Sequence, residues 1–103
     1  MDYAQSRFSA RTGHCIQRPN WGQNFVFERP ESHIDAAIIP SIKSIPESAR
    51  KAISEAASGD MVKFESHLCL FRKSEKGNTY IVENSWRPSA EDEAATDWVI
   101  FNP

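Results

Sequence analysis

The clearest hydrophobic pattern along the chain predicts a helix in its middle. Apolar side chains recur there at helical spacing, on one face, at Ala49, Ala52, Ile53, Ala56 and Ala57. Before this run, Ser44 and Glu47 have the spacing of a capping box with Pro46 in the first turn, and Gly59 follows it. The pattern therefore predicts a helix between Ser44 and Gly59 whose small side chains pack closely on a sheet.

Apolar segments elsewhere predict strands. Five segments have this character: residues 14–18, 24–28, 61–73, 79–84 and 99–101. A short turn joins the first two, and Lys76-Gly77-Asn78 precedes the fourth, so we expect two hairpins. The third segment is either one long strand or two strands separated by a bend near Ser66.

The remaining segments complete the predicted order of elements. Residues 2–12 predict a first helix that ends at Gly13, and residues 30–43 predict a loop with an apolar contact at Ile38 and Ile39. A short acidic helix follows the second hairpin. The order helix, hairpin, helix, hairpin, helix, strand predicts an α+β fold: a small single domain over residues 1–103 with an antiparallel sheet and about three short helices.

Composition narrows the class of protein. The chain has 103 residues, 40% of them hydrophobic and 11% aromatic, enough for one core. A net charge of -2 does not favour a general nucleic-acid binder. No apolar run approaches the ~20 residues that span a bilayer, so we expect no membrane association. The first residues lack the apolar core of a signal peptide, and Cys15 and Cys69 are typical of free buried thiols in a reducing cytoplasm.

The candidate chemical groups do not favour catalysis or metal binding. The spacing of the histidines and cysteines is not that of a metal finger, at His14, Cys15, His33, His67 and Cys69. There is no glycine-rich phosphate loop, and a helix cap occupies the Ser89 hydroxyl. We therefore expect a protein that is not an enzyme, with no metal and no cofactor.

The segment from Trp86 to Trp98 favours ligand binding. Ser89 stands three residues before Asp92, which predicts a capped helix start with Trp86 beside its first turn. A flat ring next to free N–H donors suits a ligand with a base and a phosphate. Arg87 directly follows Trp86, and Arg18 lies three residues before Trp21, so an arginine that can bind phosphate stands near each ring in the sequence.

The alternative is that these tryptophans are structural. On that interpretation both Trp86 and Trp98 belong to the core, and the cap serves only the helix. For Trp98 we expect a core position in either case, because Ala94, Ala95 and Trp98 are spaced on one face of the predicted helix.

Two motifs resemble a known family. The segment Gly13-His14-Cys15-Ile16-Gln17-Arg18-Pro19-Asn20-Trp21-Gly22 resembles the G-x-x-V-x-R-x-x-W segment of the second Thoeris anti-defence family, a group of small phage proteins. The C-terminal signature of that family is W-x-P-S-x-x-D-x-x-A-x-D-W, and it is similar at each defined position to Trp86-x-Pro88-Ser89-x-x-Asp92-x-x-Ala95-x-Asp97-Trp98. The two motifs frame nearly the whole chain. After the first tryptophan the family often has W-N-G, where this chain has Trp21-Gly22-Gln23.

The resemblance implies a function. Members of that family are α+β homo-oligomers, usually tetramers, that act in the cytoplasm of the infected bacterial host. They sequester a cyclic nucleotide immune signal, glycocyclic ADP-ribose, without cleaving it, and some also bind cyclic oligonucleotide signals of the CBASS type. Pockets form between protomers. The matching ligand-binding residues here would be Arg18, Trp21, Trp86, Ser89 and Asp92, with Phe25 as a weaker candidate.

Two alternatives stay open. A protein that inhibits an immune effector by covering it would have an exposed apolar patch and no ligand pocket. An enzyme that degrades the signal would release altered nucleotide. Neither the bound nucleotide nor the number of protomers follows from the sequence.

Overall fold

The α+β fold with antiparallel sheets that the sequence predicts is confirmed. A computed structural model describes all residues from 1 to 103. The helices are α1 (Tyr3–Arg11), α2 (Glu47–Ala56) and α3 (Ala90–Ala94). The strands are β1 (Cys15–Gln17), β2 (Phe25–Arg29), β3 (Ser32–Asp35), β4 (Met61–Phe64), β5 (His67–Lys73), β6 (Tyr80–Glu83) and β7 (Val99–Phe101). The chain forms two compact units, residues 31–65 and the remainder, which are described separately below.

The first unit contains a five-stranded antiparallel sheet in the order β6-β5-β2-β1-β7. Both predicted hairpins are present, since β1 pairs with β2 and β5 pairs with β6. The predicted final strand, β7, pairs with β1. Strand β1 lies within the motif Gly13–Gly22, and β7 directly follows the motif that ends at Trp98, so this pairing brings the two motifs together. The third predicted segment is two strands, β4 and β5, which residues 65 and 66 separate.

The core of this unit lies on one face of the sheet. Ile16 on β1 stands opposite Val26 on β2, and both are fully buried. Helix α1 covers them, and its Ala10 belongs to the same cluster. Asp2 and Gln5 form a capping box at the start of α1. At its end Gly13 has φ of 97°, and the N–H groups of residues 13 and 14 bond back to residues 10 and 9, so the glycine closes the helix as predicted.

The second unit contains a two-stranded ribbon that the sequence did not predict. Strand β3 pairs antiparallel with β4, with Ile34 opposite Val62. The prediction of a loop over residues 30–43 was therefore wrong for residues 32–35. A segment with one apolar residue among polar ones has no strand pattern of its own, and pairing with β4 makes it a strand. Of the two predicted apolar contacts, Ile39 is fully buried and Ile38 is exposed.

Helix α2 also differs from its prediction. It begins at Glu47, and Pro46 precedes it as the cap residue with no side-chain capping bond, so the capping box of Ser44 and Glu47 does not form. The helix contains no fully buried residue. It packs on the 3-10 turn Ile39–Ser41 rather than closely on a sheet. No helix in the chain is both long enough and apolar enough to cross a lipid bilayer.

Candidate functional site

Three tryptophans from distant parts of the sequence meet in the first unit. We call Trp21, Trp86 and Trp98 the tryptophan cluster. Trp98 is completely buried, which confirms its predicted core position, and the other two are half-buried against it. The rings meet edge to face, with centroids 5.2 Å apart for Trp21 and Trp98, 6.5 Å for Trp86 and Trp98, and 6.0 Å for Trp21 and Trp86. These are favourable aromatic geometries.

A tight turn positions Trp21. A 3-10 turn, Pro19–Trp21, follows β1, and the Trp21 N–H donates to the carbonyl of Arg18 at 3.0 Å. Gly22 then has φ of 62° and ψ of -116°, and the Asn24 N–H donates to the Trp21 carbonyl at 3.1 Å. These values are typical of a type II′ turn, which requires glycine at its second residue.

Trp86 is positioned from the opposite side of the cluster. Ser85 has φ of 59°, a left-handed conformation that is uncommon for a residue with a side chain. The Trp86 N–H donates to the Leu68 carbonyl at 2.9 Å, which ties the segment to β5. Trp86 thus packs partly into the core, as the structural alternative expected, and also keeps an exposed portion.

Helix α3 has the cap that its sequence predicts. The Asp92 N–H donates to Ser89 Oγ at 3.1 Å, and the Ser89 N–H donates to Asp92 Oδ2 at 3.2 Å. The helix ends at Ala94, and Ala95 is already extended with ψ of 145°. The predicted helix face that includes Ala94, Ala95 and Trp98 is therefore wrong. Trp98 instead reaches back to α3, and its Nε1 donates to the Asp92 carbonyl at 2.9 Å.

Arg18 binds three carboxylates around α3. Its Nε donates to Asp97 Oδ1 at 3.1 Å, and its Nη1 donates to Asp92 Oδ1 at 3.2 Å and to Glu91 Oε1 at 3.3 Å. The Arg18 side chain is 14% exposed. Hydrogen bonding to Asp97 first, and then to the other two carboxylates, raises the pKa of Arg18 above its ordinary value. Arg18 therefore ties the first turn of α3, and Asp97 in the segment after α3, to the end of β1.

This arrangement changes the electrostatics expected from the sequence. The sequence predicts that Arg18 is available to a ligand phosphate, and it predicts no contact between Arg18 and the three carboxylates around α3. In the structure these carboxylates already bind the guanidinium, and an incoming anion would have to compete with them. Their spacing from Arg18, 73 and 79 residues along the chain, carries no local signal that sequence reasoning could use.

Phe25 does not join the other five candidate residues. Side chains alternate across a strand, so Phe25 and the buried Val26 point to opposite faces of the sheet. The Phe25 ring instead packs among aromatic residues of that other face, with centroids 5.1 to 6.2 Å away, at Phe27, Phe71 and Phe101. Its burial among these rings gives Phe25 a packing role in the sheet.

The remaining places where a ligand or metal ion could bind are a groove along α1, the potential metal-ligating side chains and the two cysteines. An open groove of about 500 Å³ runs along α1, and its lining includes none of the six candidate residues. No group of three or more His, Cys, Asp or Glu side chains is placed to hold a metal ion. Cys15 and Cys69 are free thiols, and burial raises the pKa of each.

Comparison with known proteins does not add a relative. No model of a protein family matches the chain, and no curated protein matches it.

Proposed function

We propose that this chain is an anti-defence protein that binds and sequesters a cyclic nucleotide immune signal. One observation carries the proposal: Arg18, Trp21, Trp86, Ser89 and Asp92, the five strongest matches to the Thoeris anti-defence motifs, lie in one continuous cluster. They come from two segments more than sixty residues apart in a chain of 103. The proposed ligand is glycocyclic ADP-ribose. Cyclic oligonucleotides of the CBASS type are a second proposed ligand.

The proposed binding mode assigns stacking to the two half-buried tryptophans. A purine that rests on exposed parts of Trp21 and Trp86 gains stacking energy, about 1–3 kcal/mol for each base–aromatic contact. A sponge needs nanomolar affinity, about -12 kcal/mol, so stacking alone is insufficient. Asp92, Glu91 and Asp97 are acceptors and therefore suit ribose hydroxyls or a base N–H.

The phosphates of the ligand need cations that Arg18 does not offer freely. Arg87 follows Trp86 directly and is exposed. In the proposed homo-oligomer, basic side chains of a neighbouring protomer complete the site, as the pockets between protomers in the resembled family imply. The proposal thus includes oligomerisation, and it places the protein in the cytoplasm of an infected bacterium.

Retention of the ligand without chemistry is part of the proposal. Ser89 Oγ accepts the Asp92 N–H, and Asp92 binds both Ser89 and Arg18. These bonds commit the Ser89 hydroxyl to the helix cap, and they commit the Asp92 carboxylate to the cap and to the ion pair with Arg18. Heating a formed complex should therefore release intact nucleotide, whereas an enzyme would release a cleaved product.

Native mass spectrometry with a panel of cyclic nucleotides tests the proposal. We expect the protein to bind glycocyclic ADP-ribose or a cyclic oligonucleotide and to retain its mass. Trp86→Ala should abolish the bound mass, whereas Tyr80→Ala removes an exposed aromatic side chain outside the cluster and should leave it unchanged. No bound nucleotide at micromolar protein, or equal loss in both variants, would contradict the proposal.

One observation favours a second candidate, a protein that inhibits an immune effector by covering it. Tyr80 is 62% exposed and Val82 is 49% exposed, and both lie on β6 at the edge of the sheet, next to the aromatic face that contains Phe71. Mixing the protein with effector in the absence of signal discriminates the two candidates. Only the second predicts a complex, and Val82→Asp should then disrupt it.

A further inference from the structure

A buried polar side chain outside the tryptophan cluster holds the turn that carries Trp21. Gln17 is the last residue of β1 and is 7% exposed. Its Nε2 donates to the Gly22 carbonyl at 3.0 Å and to the Asn24 carbonyl at 2.8 Å. Two carbonyl acceptors require the NH2 group of the carboxamide, so both of its hydrogens are used.

These two bonds add to the hydrogen bonds of the turn itself. The Trp21 and Asn24 N–H groups bond within the turn, to the carbonyls of Arg18 and Trp21. Gln17 instead binds the carbonyls of Gly22 and Asn24 from inside the sheet. Gly22 and Asn24 lie one and three residues after Trp21, so the carboxamide fixes the position of the turn relative to β1.

The consequence reaches the tryptophan cluster. Trp21 meets Trp86 edge on, with ring centroids 6.0 Å apart and an interplanar angle of 79°. The relative position of the two rings therefore depends on the segments that carry them. On the Trp21 side, the only side chain that bonds to the turn backbone after Trp21 is that of Gln17.

We propose that Gln17 is the positioning residue that sets the geometry of the Trp21–Trp86 pair. It acts through the backbone of Gly22 and Asn24 and does not itself contact a ligand. The expected effect of Gln17 on nucleotide affinity rests on the proposed function. Its expected effect on the positions of the two rings is independent of that function. The sequence gives no signal for this role, because a polar residue at a strand end resembles an ordinary surface position.

Fluorine NMR of protein labelled with 5-fluorotryptophan tests the proposal directly, since the chain has three tryptophans and gives three resonances. Gln17→Met keeps the length of the side chain and removes both donors. We expect the Trp21 resonance to shift or broaden most. The Trp86 and Trp98 resonances should shift less, because their rings contact Trp21 at centroid distances of 6.0 Å and 5.2 Å but are carried by other segments. The matched control is Gln23→Met, an exposed glutamine of the same turn, which should leave all three resonances in place.

Affinity for glycocyclic ADP-ribose provides the second measurement. Gln17→Met should weaken it about tenfold, and Gln23→Met should not change it. If the wild-type protein binds no nucleotide, the proposed function fails, and the fluorine spectra still decide whether Gln17 positions the rings.

Two results would overturn the proposal. One is a folded Gln17→Met protein with all three resonances unchanged, since the residue would then support stability alone. The other applies if Gln17→Met does not fold. Gln17→Asn keeps the NH2 group but shortens its reach by one methylene, so the Trp21 resonance should still move from its wild-type position. An unchanged Trp21 resonance in folded Gln17→Asn would overturn the positioning role.

Discussion

Trp98 is tied to the short acidic helix by a single side-chain bond, in which its Nε1 donates to the Asp92 carbonyl at 2.9 Å. A helix of five residues is too short to be stable by itself. The buried indole on one side and the Arg18 guanidinium on the other therefore hold α3 in place. Residues that hold α3 in place also belong to the candidate site. Substitutions at these residues should therefore change both the stability of the protein and its binding of ligand.

Substitution of Trp98 should separate its packing from its hydrogen bond. Trp98→Ala should lower the free energy of unfolding by about 3–5 kcal/mol, because it removes a fully buried ring. Trp98→Phe should cost less, since much of the apolar volume remains and the Ala95 N–H still donates to the Asp92 carbonyl at 3.4 Å. Urea denaturation of the two variants measures the difference. A normally stable Trp98→Ala protein would refute the core assignment.

Trp86→Ala should affect both stability and binding. The sequence alone favours loss of binding with little loss of fold, but the ring packs against the core and contacts Trp21 and Trp98. Burial of a large side chain contributes about 1.5–3 kcal/mol, and a half-buried ring should contribute the lower part of that range. The decisive measurement is ligand affinity per folded molecule, by calorimetry well below the melting temperature. Normal affinity would make Trp86 a structural residue only.

Ser89→Ala and Asp92→Asn should distinguish a cap from a ligand contact. Loss of the Ser89 cap should cost about 0.5–2 kcal/mol of stability. Asp92→Asn keeps the shape but removes the charge that binds Arg18. Weaker nucleotide binding by a stably folded Asp92→Asn protein supports an acceptor role for this carboxylate. Stronger binding would mean that its charge only opposes the phosphates, and unchanged binding would leave it a capping residue.

Gly22→Ala should destabilise the first hairpin through the backbone alone. A β-carbon at this position would meet no atom within 4 Å, so there is no steric clash with other residues. The φ of 62° is unfavourable for alanine, and we expect a loss of about 1–3 kcal/mol. Thermal unfolding measures it, with exposed Gln23→Ala as the control. A melting temperature equal to that of the control would exclude the type II′ turn at this position.

Stability should fall at alkaline pH. Burial is the largest cause that raises the pKa of Cys69 above 9.0 and that of Tyr3 above 10.0. The unfolded chain then loses these protons at lower pH than the folded protein, so ionisation favours unfolding. The free energy of unfolding should be level up to about pH 9 and decrease above it. The variants Cys69→Ala and Tyr3→Phe should each flatten the decrease, and a curve identical to wild type in both would contradict this account.

Local features of the fold were predictable because they depend on residues a few positions apart. The α3 cap joins Ser89 to Asp92, and the end of α1 requires only Gly13 and its neighbours. The two hairpins and the final strand β7 also follow from short apolar runs and turn residues. Where the local signal was misleading, as in the capping box expected at Ser44, Pro46 took the cap position instead.

The sequence by itself determined the class of fold and its two hairpins, since apolar spacing and turn chemistry act over short distances. Trp98 is buried as predicted, but not through the helix face on which that prediction rested. Only the tertiary structure decided how the candidate site is arranged. It paired Arg18 with acidic residues 73 to 79 positions away, directed Phe25 to the other face of the sheet and packed Trp86 against Trp21. The physical reason is that these contacts depend on which strands pair, and the register of β1 with β2 and β7 sets the positions of residues that no local pattern relates.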